Sequence, residues 1–324
     1  MNILVIGLGS MGKRRTRLLK EMYPDFEVYG FDASQNRRNE AHNTLEINCV
    51  ESLEHAKKAC HIDIAFVCSP PLSHSKIISE CLNYKWNVFT ELNLVSDGYE
   101  QNIKLAKDTG CKLFLSSTFL YREEINYIQN QIDHNSKWNY IYHIGQYLPD
   151  WHPWENYKDF FIGDRRTNGC REILAIELPW ITKTFGKAVD YTVTSDNLTT
   201  LNIDYKDNYF IQITHENGNK GILVIDVVSP VAVRKLEIYQ EHKYFRWDGS
   251  PDSLYAYDPV CRQLKKVRLS ERPEHEAGYS DFIVENAYRN EIKEFFDVLL
   301  AGKEPIYGFE QDLEILNLID SMEE

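Results

Sequence analysis

The first third of the chain alternates between short apolar runs and longer amphipathic stretches. The apolar runs lie at residues 3–6, 26–31, 62–68, 87–90 and 112–115. The run at 62–68 is continuous, which is typical of a strand in a parallel sheet that is covered on both faces. Helix-like stretches follow at 75–84 and 99–109. This alternation predicts an α/β domain with a doubly wound parallel sheet over residues 1–118.

The pattern changes at about Phe119. A helical stretch at 122–132 precedes strand-like stretches at residues 138–146, 191–193, 209–214, 221–228, 234–240 and 244–247. Such a run of strands without helices predicts an α+β domain over residues 119–324 with one large, mainly antiparallel open sheet. The segment 222–227 alternates only weakly in polarity, so we expect it to be buried on both sides. Two helices are predicted to close the chain, at 281–301 and 311–322.

Composition narrows the classes of function. The chain has 324 residues, of which 43% are hydrophobic, enough for two ordinary cores. A net charge of -13 repels phosphate backbones, so nucleic acid and anionic membranes are not expected as main partners. The seven cysteines are scattered without a Cys-x-x-Cys pair, which is typical of reduced thiols, and the ten histidines lack metal-ligand spacing.

No apolar stretch is long enough to predict a membrane span. The N-terminal apolar run is interrupted by Gly7 and has no preceding basic region, so it does not indicate a signal peptide. We therefore expect a cytoplasmic protein without a structural metal.

A glycine-rich turn follows the first apolar run. Gly7 allows a tight turn from strand to helix, Gly9 lets the backbone approach a pyrophosphate, and Gly12 lets the helix pack close to the strand. The helix that begins there presents backbone N–H groups and the positive end of its dipole to phosphates. A glycine triplet alone also occurs in turns without a ligand, but its place between a strand and a helix indicates a dinucleotide site. Contacts are expected from Gly7, Gly9, Ser10, Met11 and Gly12.

Asp32 supplies the second half of this pattern. It ends the second apolar run, where a carboxylate can accept hydrogen bonds from the adenosine ribose hydroxyls. A carboxylate at this position repels a 2′-phosphate, so the sequence favours NAD over NADP. Arg37 and Arg38 follow closely enough to neutralise such a phosphate, which leaves NADP as the alternative cofactor.

These motifs resemble those of the glucose-fructose oxidoreductase, inositol dehydrogenase and MocA (Gfo/Idh/MocA) family over nearly the full chain. The matching parts are the glycine turn, the strand with Cys68-Ser69-Pro70 followed by His74, the strand that ends at Glu91, and the large sheet domain with its terminal helix. The resemblance implies a Rossmann domain that carries NAD or NADP. It also implies a second domain that presents its sheet to assemblies and its loops to a sugar-like substrate.

Ligands bind beyond the carboxyl ends of parallel strands, so we expect Ser69 and Pro70 to contact the cofactor. His74 either lines the nicotinamide side or lies in the first turn of a surface helix. Glu91 either reaches the cofactor region or only caps a backbone group.

Two departures from the family pattern concern proton transfer. The family usually carries Glu-Lys-Pro where this chain has Glu91-Leu92-Asn93, and that lysine normally binds the substrate and assists proton transfer. The family's glycine pair, acid and histidine correspond best to residues 169–177, in a register that places Ile176 at the histidine. Neither Leu92 nor Ile176 can hold a proton, so the usual mechanism cannot operate.

Three residues are candidates to replace the missing groups. Glu172 can stand in for the upstream acid. Glu177 reaches the histidine position if the register shifts by one residue, and Pro179, which suits the first turn of a helix, predicts that Glu177 lies at the positive end of that helix. His152 offers an imidazole, which suits proton transfer near neutral pH. We therefore predict that catalysis involves His152, Glu172 and Glu177.

The segment 145–155 resembles that of family members associated with bacterial surface-glycan sugars. The faces of Trp151 and Trp154 can stack on a sugar ring and Glu155 can bind hydroxyl groups, or the tryptophans can pin the loop over the core. Arg165 and Arg166 can clamp a carboxylate or phosphate of the substrate, or they can be solvated surface residues.

Three functions stay open at this point. The predicted one is an NAD-dependent oxidoreductase that acts on a sugar, nucleotide sugar or related polyol. The alternatives are an NAD-retaining epimerase, lyase or hydrolase that uses transient oxidation, and a non-catalytic NAD-binding sensor. A large sheet with one uncovered face also predicts a homodimer or homotetramer.

Overall fold

The computed structural model describes residues 1–151, 153, 155–269 and 284–324, and these form two compact units. The first unit comprises Met1–Ser117 and Arg289–Asn317, and the second comprises Thr118–Tyr288 and Leu318–Glu324. Residues 289–317 therefore pack with the first unit, whereas the sequence pattern placed them in the second domain.

The first unit is built on a six-stranded parallel sheet, which confirms the predicted doubly wound fold. Its strands, in chain order, are β1 (Asn2–Ile6), β2 (Glu27–Phe31), β3 (Asn48–Val50), β4 (Ile64–Val67), β5 (Asn87–Thr90) and β6 (Leu113–Leu115). The spatial order is β3-β2-β1-β4-β5-β6, so the winding direction changes between β1 and β4. Its helices are α1 (Ser10–Met22), α2 (Gln35–Leu45), α3 (Leu53–Ala59), α4 (His74–Asn83) and α5 (Tyr99–Thr109).

A row of stacked aromatic rings explains why residues 289–317 join the first unit. Phe66, Phe89 and Phe114 come from β4, β5 and β6, and their ring centroids are 4.5 Å and 5.3 Å apart. Phe295, from helix α8 (Glu285–Ala301), packs against all three rings at 5.5 Å to 5.6 Å. Such edge-to-face pairs stabilise a core beyond the area that they bury. The described part of α8 begins at Glu285, and the predicted helix residues 281–283 lie outside the described residues.

The second unit is built on an eight-stranded sheet. Its strands are β7 (Asn139–Gly145), β8 (Ala188–Asp196), β9 (Asn208–His215), β10 (Lys220–Asp226), β11 (Val233–Gln240), β12 (Lys243–Trp247), β13 (Tyr255–Asp258) and β14 (Gln263–Lys266). The order is β14-β13-β12-β11-β7-β10-β9-β8, and all pairs are antiparallel except the parallel pair of β7 and β10. The predicted mainly antiparallel sheet is confirmed. The remaining helices are α6 (Glu123–Gln131), α7 (Gly169–Phe185) and α9 (Phe309–Glu323).

Helix α7 corrects the prediction that no helix interrupts the strands of this unit. Thirteen of its seventeen residues are buried, so the sequence carries no polar face that would indicate a helix. Its aromatic residues pack on β7, with Phe185 stacked at 4.5 Å from Tyr140 and Trp180 at 5.7 Å from Tyr142. Helix α7 therefore covers one face of the sheet.

The other face of the sheet is open at several apolar residues. Strand β10 alternates between buried and exposed positions, and Ile222 is 46% exposed. The prediction that this strand is buried on both sides is therefore wrong, because its neighbours cover only the face that meets α7. In the part of the chain that the structure describes, no helix is long and apolar enough to cross a membrane.

Candidate functional site

The turn from β1 to α1 has the backbone geometry that a dinucleotide site requires. Gly7 has φ +93°, and a Cβ there would lie 2.7 Å from the Cys68 carbonyl carbon. A Cβ at Gly12 would lie 1.8 Å from the Gly7 oxygen, so neither position tolerates a side chain. By contrast, a Cβ at Gly9 would have no atom within 4 Å. The open space at Gly9 is where a pyrophosphate can approach the backbone, so the turn fits the cofactor.

The first turn of α1 suits a phosphate. Gly9 occupies the N-cap position without a side chain, and the first turn contains no acidic residue. Ser10 is exposed and Met11 is half-buried. The positive end of the helix dipole therefore meets no fixed negative charge from the residues of this turn.

Asp32 follows β2 and is held in place by backbone donors. Its Oδ2 accepts a hydrogen bond from Leu8 N–H at 2.8 Å, and its Oδ1 accepts one from Ser34 N–H at 2.8 Å. Each oxygen keeps a further lone pair, which can accept from a ribose hydroxyl. The Arg37 guanidinium lies 3.8 Å from Oδ2 and its side chain is 53% exposed, whereas Arg38 donates to the backbone oxygens of Asp32 and Ala33.

The carboxyl end of β4 adjoins this turn. A Cβ at Gly7 would lie 2.8 Å from the Ser69 nitrogen, so Ser69 borders the glycine turn directly. Ser69 is half-buried and Pro70 is exposed. The hydroxyl of Ser73 donates to the Pro70 oxygen at 2.7 Å and lies 2.8 Å from the Ser69 hydroxyl. These bonds give the loop a fixed shape at the point where the sheet changes its winding direction.

His74 is the first residue of α4, but it is only 2% exposed and so does not lie on the surface. Its Nε2 is 2.6 Å from the Ser69 oxygen, and its Nδ1 is 2.6 Å from Oδ1 of Asn93. Burial lowers the pKa of the imidazole. Both ring nitrogens are thus engaged inside the unit.

Glu91 follows β5 and belongs to a buried ionic cluster rather than capping a helix. Nε of Arg15 lies 2.6 Å from Glu91, and Nη2 of the same guanidinium lies 2.5 Å from Glu291. The Ser116 hydroxyl donates to Glu291 at 2.9 Å. Burial alone would lower the pKa of Arg15, but the two carboxylates raise it above its usual value. Burial raises the pKa of Glu291.

Sequence reasoning missed Arg15, Asn93 and Glu291. The sequence did contain an indication for Arg15. This residue shares the buried face of α1 with Gly12 and Leu19, and a buried charge needs a partner of opposite charge. Its partners lie 76 and 276 positions away, so sequence spacing could not identify them.

Glu172 lies in the first turn of α7 in the second unit. Asn168 caps this helix by accepting a hydrogen bond from Arg171 N–H at 2.8 Å. Oε2 of Glu172 is shielded from solvent and has no hydrogen-bond partner among the described residues. Burial raises the pKa of this carboxyl to about 7. Ile176, four residues on, is the next half-buried position of the helix, so it shares the face of Glu172.

Glu177 has a different environment. The predicted helix start near Pro179 is wrong, because α7 begins at Gly169 and Pro179 lies inside it. Glu177 is fully buried in mid-helix and accepts hydrogen bonds from the Tyr142 hydroxyl at 2.9 Å and the Trp180 indole at 2.7 Å. It also forms an ion pair with Arg234. With both oxygens engaged, Glu177 is placed to stabilise the unit.

The predicted substrate residues lie in the segment between β7 and α7. The Trp151 indole donates to the Gln146 oxygen at 3.0 Å and is half-buried, while Glu155 is exposed. Arg165 and Arg166 are exposed in a short 3-10 turn. Two predicted residues, His152 and Trp154, lie outside the described residues. Among the described residues, no three His, Cys, Asp or Glu side chains are grouped as a metal ion requires.

The fold and the glycine turn together define a dinucleotide-binding protein with two domains. Residues 1–117 match the model of the Gfo/Idh/MocA family, which is described as an oxidoreductase family with an NAD-binding Rossmann fold. The N-terminal part of the chain is thus similar to the NAD-binding domain of this oxidoreductase family. A search of curated proteins gave no match.

Solved structures share the fold over the whole chain. An oxidoreductase from Agrobacterium radiobacter, in complex with NAD+, L-tartaric acid and magnesium, has a TM-score of 0.81 at 11% identity, with 99% of this chain and 94% of that chain covered. UDP-N-acetylglucosamine 3-dehydrogenase GnnA from Acidithiobacillus ferrooxidans has a TM-score of 0.75 at 15% identity, covering 100% and 96%. Biliverdin reductase from Synechocystis, in complex with biliverdin and NADP+, has a TM-score of 0.75 at 14% identity, covering 99% and 97%. Identities this low show the fold alone.

Proposed function

We propose that the protein is an NAD-dependent dehydrogenase of a sugar, nucleotide sugar or related polyol, in which Glu172 exchanges the proton. The proposal is supported by Oε2 of the half-buried Glu172, which is shielded from solvent and has no hydrogen-bond partner among the described residues, and by the raised pKa of this carboxyl. When bound, NAD supplies the hydride acceptor for oxidation of a carbinol carbon. The chain must then supply a group that takes the hydroxyl proton.

Glu172 suits this task better than the other acidic residues of α7. A catalytic base works best when its pKa lies near the working pH, and the pKa of Glu172 is about 7. No described residue forms a hydrogen bond with its Oε2, so this oxygen can accept a proton without first breaking such a bond. Glu177, by contrast, would have to leave Arg234 and two neutral donors. In this proposal Glu172 takes over the proton transfer that the lysine and histidine replaced by Leu92 and Ile176 usually provide.

The first unit holds the cofactor in this proposal. Gly7, Gly9 and Gly12 shape the turn, Ser10 and Met11 begin the helix that faces the pyrophosphate, and Asp32 accepts from the adenosine ribose. Because the Asp32 carboxylate repels a 2′-phosphate, we propose NAD as the preferred cofactor. Arg37, exposed and close to Asp32, is the residue that would neutralise a 2′-phosphate if NADP also binds.

The sugar-like substrate is supported by the residue types that follow β7. Trp151 offers an aromatic face, Glu155 is an exposed acceptor for hydroxyl groups, and Arg165 and Arg166 are exposed cations for a carboxylate or phosphate. One of the structures with the same fold is a UDP-N-acetylglucosamine 3-dehydrogenase. The resemblance of segment 145–155 to surface-glycan enzymes points to the same class of substrate.

The proposal is tested with a panel of sugars, nucleotide sugars and polyols, each incubated with NAD or NADP while reduced cofactor is followed by absorbance. We expect NADH formation with at least one of them, and a loss of about 100- to 10,000-fold in kcat for Glu172→Gln. Glu123→Gln is the matched control, since Glu123 also lies in the first turn of a helix of the second unit and should leave kcat unchanged.

Other outcomes separate the alternatives. Exchange of a substrate C–H for deuterium without net NADH identifies transient oxidation, as in an epimerase or lyase. Binding of NAD with no turnover or exchange across the whole panel, in the wild type and in Glu172→Gln alike, contradicts the dehydrogenase and favours a sensor.

We also propose that the open sheet face of the second unit is covered by a second copy of the chain. Ile141 on β7 pairs with Ile222 on β10, and these side chains are 40% and 46% exposed. Phe210 on the next strand is 54% exposed. Apolar side chains exposed together on adjacent strands favour burial in a symmetric interface, where the same patch serves both subunits.

A further inference from the structure

We infer that Asn93 is a positioning residue that holds the His74 ring as its neutral Nε2–H tautomer and so ties the ends of β4 and β5 together beside the glycine turn. The inference rests on the proposed cofactor role of the first unit. It concerns a residue that stands where the family usually has proline, and whose contact with His74 spans nineteen positions of sequence.

The contacts of the ring fix where its proton must be. Nε2 of His74 lies 2.6 Å from the Ser69 carbonyl oxygen, which can only accept, so Nε2 carries a hydrogen. Nδ1 faces the Asn93 amide at 2.6 Å and the Thr90 hydroxyl at 3.4 Å. If Nδ1 met the Asn93 oxygen it would need a second hydrogen, and the ring would be a buried cation.

A buried cation is disfavoured at this position. Burial lowers the pKa of His74, and Glu91, the carboxylate whose charge acts on the ring, is already engaged by the Arg15 guanidinium. In addition, Nδ2 of Asn93 is shielded from solvent and has no hydrogen-bond partner among the described residues. A half-turn of the Asn93 amide lets Nδ2 donate to Nδ1 of a neutral ring, and Oδ1 then faces the Tyr99 hydroxyl, which already donates to Asp312.

The resulting chain of hydrogen bonds runs from Asn93 through His74 to Ser69. Asn93 follows the end of β5 by three residues, and Ser69 follows the end of β4 by two. Because Ser69 packs directly against Gly7, the chain fixes the peptide that borders the turn where the pyrophosphate is proposed to bind. Asn93 therefore orients a carbonyl beside the cofactor site without touching the cofactor.

Nitrogen-15 NMR of histidine-labelled protein without NAD tests the inference directly. We expect His74, assigned with the His74→Gln variant, to show an unprotonated Nδ1 and a protonated Nε2 throughout the stable pH range. Asn93→Asp places an obligate acceptor at Nδ1, so the ring should become an imidazolium. Asn93→Leu removes the donor, so the ring should populate the other tautomer and the Kd for NAD should rise about tenfold.

Two controls separate this role from general loss of structure. Asn83→Asp, at an exposed position of α4, should leave both the His74 spectrum and the Kd for NAD unchanged. The resonances of His215, a buried histidine of the second unit, should be the same in every variant.

The inference is overturned if wild-type His74 is protonated at Nδ1, or if Asn93→Leu retains both the wild-type tautomer and the wild-type Kd. Failure of the wild type to bind NAD would instead contradict the cofactor proposal, because the tautomer is measured without NAD.

Discussion

At the scale of single residues, two glutamates of one helix show how environment decides chemistry. Glu172 and Glu177 are five positions apart on α7. Glu172 has a buried oxygen without a hydrogen-bond partner among the described residues, and burial raises the pKa of its carboxyl to about 7. Glu177 is paired with Arg234 and accepts two further hydrogen bonds. The sequence predicted both as catalytic candidates, and of the two we propose only Glu172 for proton transfer.

The raised pKa of Glu172 predicts a pH-dependent cost to stability. The ordinary value is 4.5 and the folded value is about 7, so the unfolded chain releases its proton first. Below the ordinary pKa of 4.5, the Glu172 carboxyl is protonated in both the folded and the unfolded chain, so it does not lower the free energy of unfolding. As pH rises from there to about 7, the free energy of unfolding falls by about 2 to 3 kcal/mol, and it stays lower at higher pH.

Glu172→Gln should remove this cost. We expect the variant to be more stable than the wild type by about 2 kcal/mol at about pH 8, and equally stable at about pH 4.5, as measured by urea unfolding at each pH. Equal stabilities at the higher pH would mean that the folded carboxyl titrates normally.

At the scale of elements, the sequence predicts those strands and turns whose pattern lies within a few consecutive residues. The apolar runs identified five of the six strands of the first sheet and missed only β3, which has three residues, and the glycine spacing identified the β1 to α1 turn. The start of α7 at Gly169 was not predicted, because burial of the helix on nearly all sides removes the periodicity on which a helix prediction depends. Strands β13 and β14 were not predicted either. The four residues of β14 are all exposed, so this strand has no apolar pattern in the sequence.

The residues of the candidate site also fall into those that are close in sequence, which spacing predicts, and those that are distant, which it does not. The residues of the glycine turn and Asp32 are local in sequence, so spacing alone was enough to predict them as cofactor contacts. The partners Arg15, Asn93 and Glu291 come from a helix, a strand end and the distant α8, and only the parallel sheet brings them to Glu91 and His74. Pairings between strand ends follow from the fold, so spacing alone could not reveal them.

At the scale of the whole molecule, the open face of the second sheet predicts an oligomer. Phe210→Glu places a charge on this face and should convert a dimer to monomers, or a tetramer to a smaller species, in light scattering coupled to size-exclusion chromatography. Val260→Glu is the matched control, because Val260 is 92% exposed in the turn between β13 and β14 and should leave the mass unchanged. A monomeric wild type, or an unchanged mass for Phe210→Glu, would contradict the proposed interface.

We propose Glu172 as the base of a sugar-oxidising, NAD-dependent reaction. The most direct measurement is the pH dependence of kcat/KM for oxidation of the best panel substrate, because this parameter titrates the groups of the free enzyme. We predict that kcat/KM of the wild type and of Glu123→Gln rises through a pKa of about 7, and that this rise disappears in Glu172→Gln. A Glu172→Gln enzyme with the wild-type rate and pH profile would contradict the account.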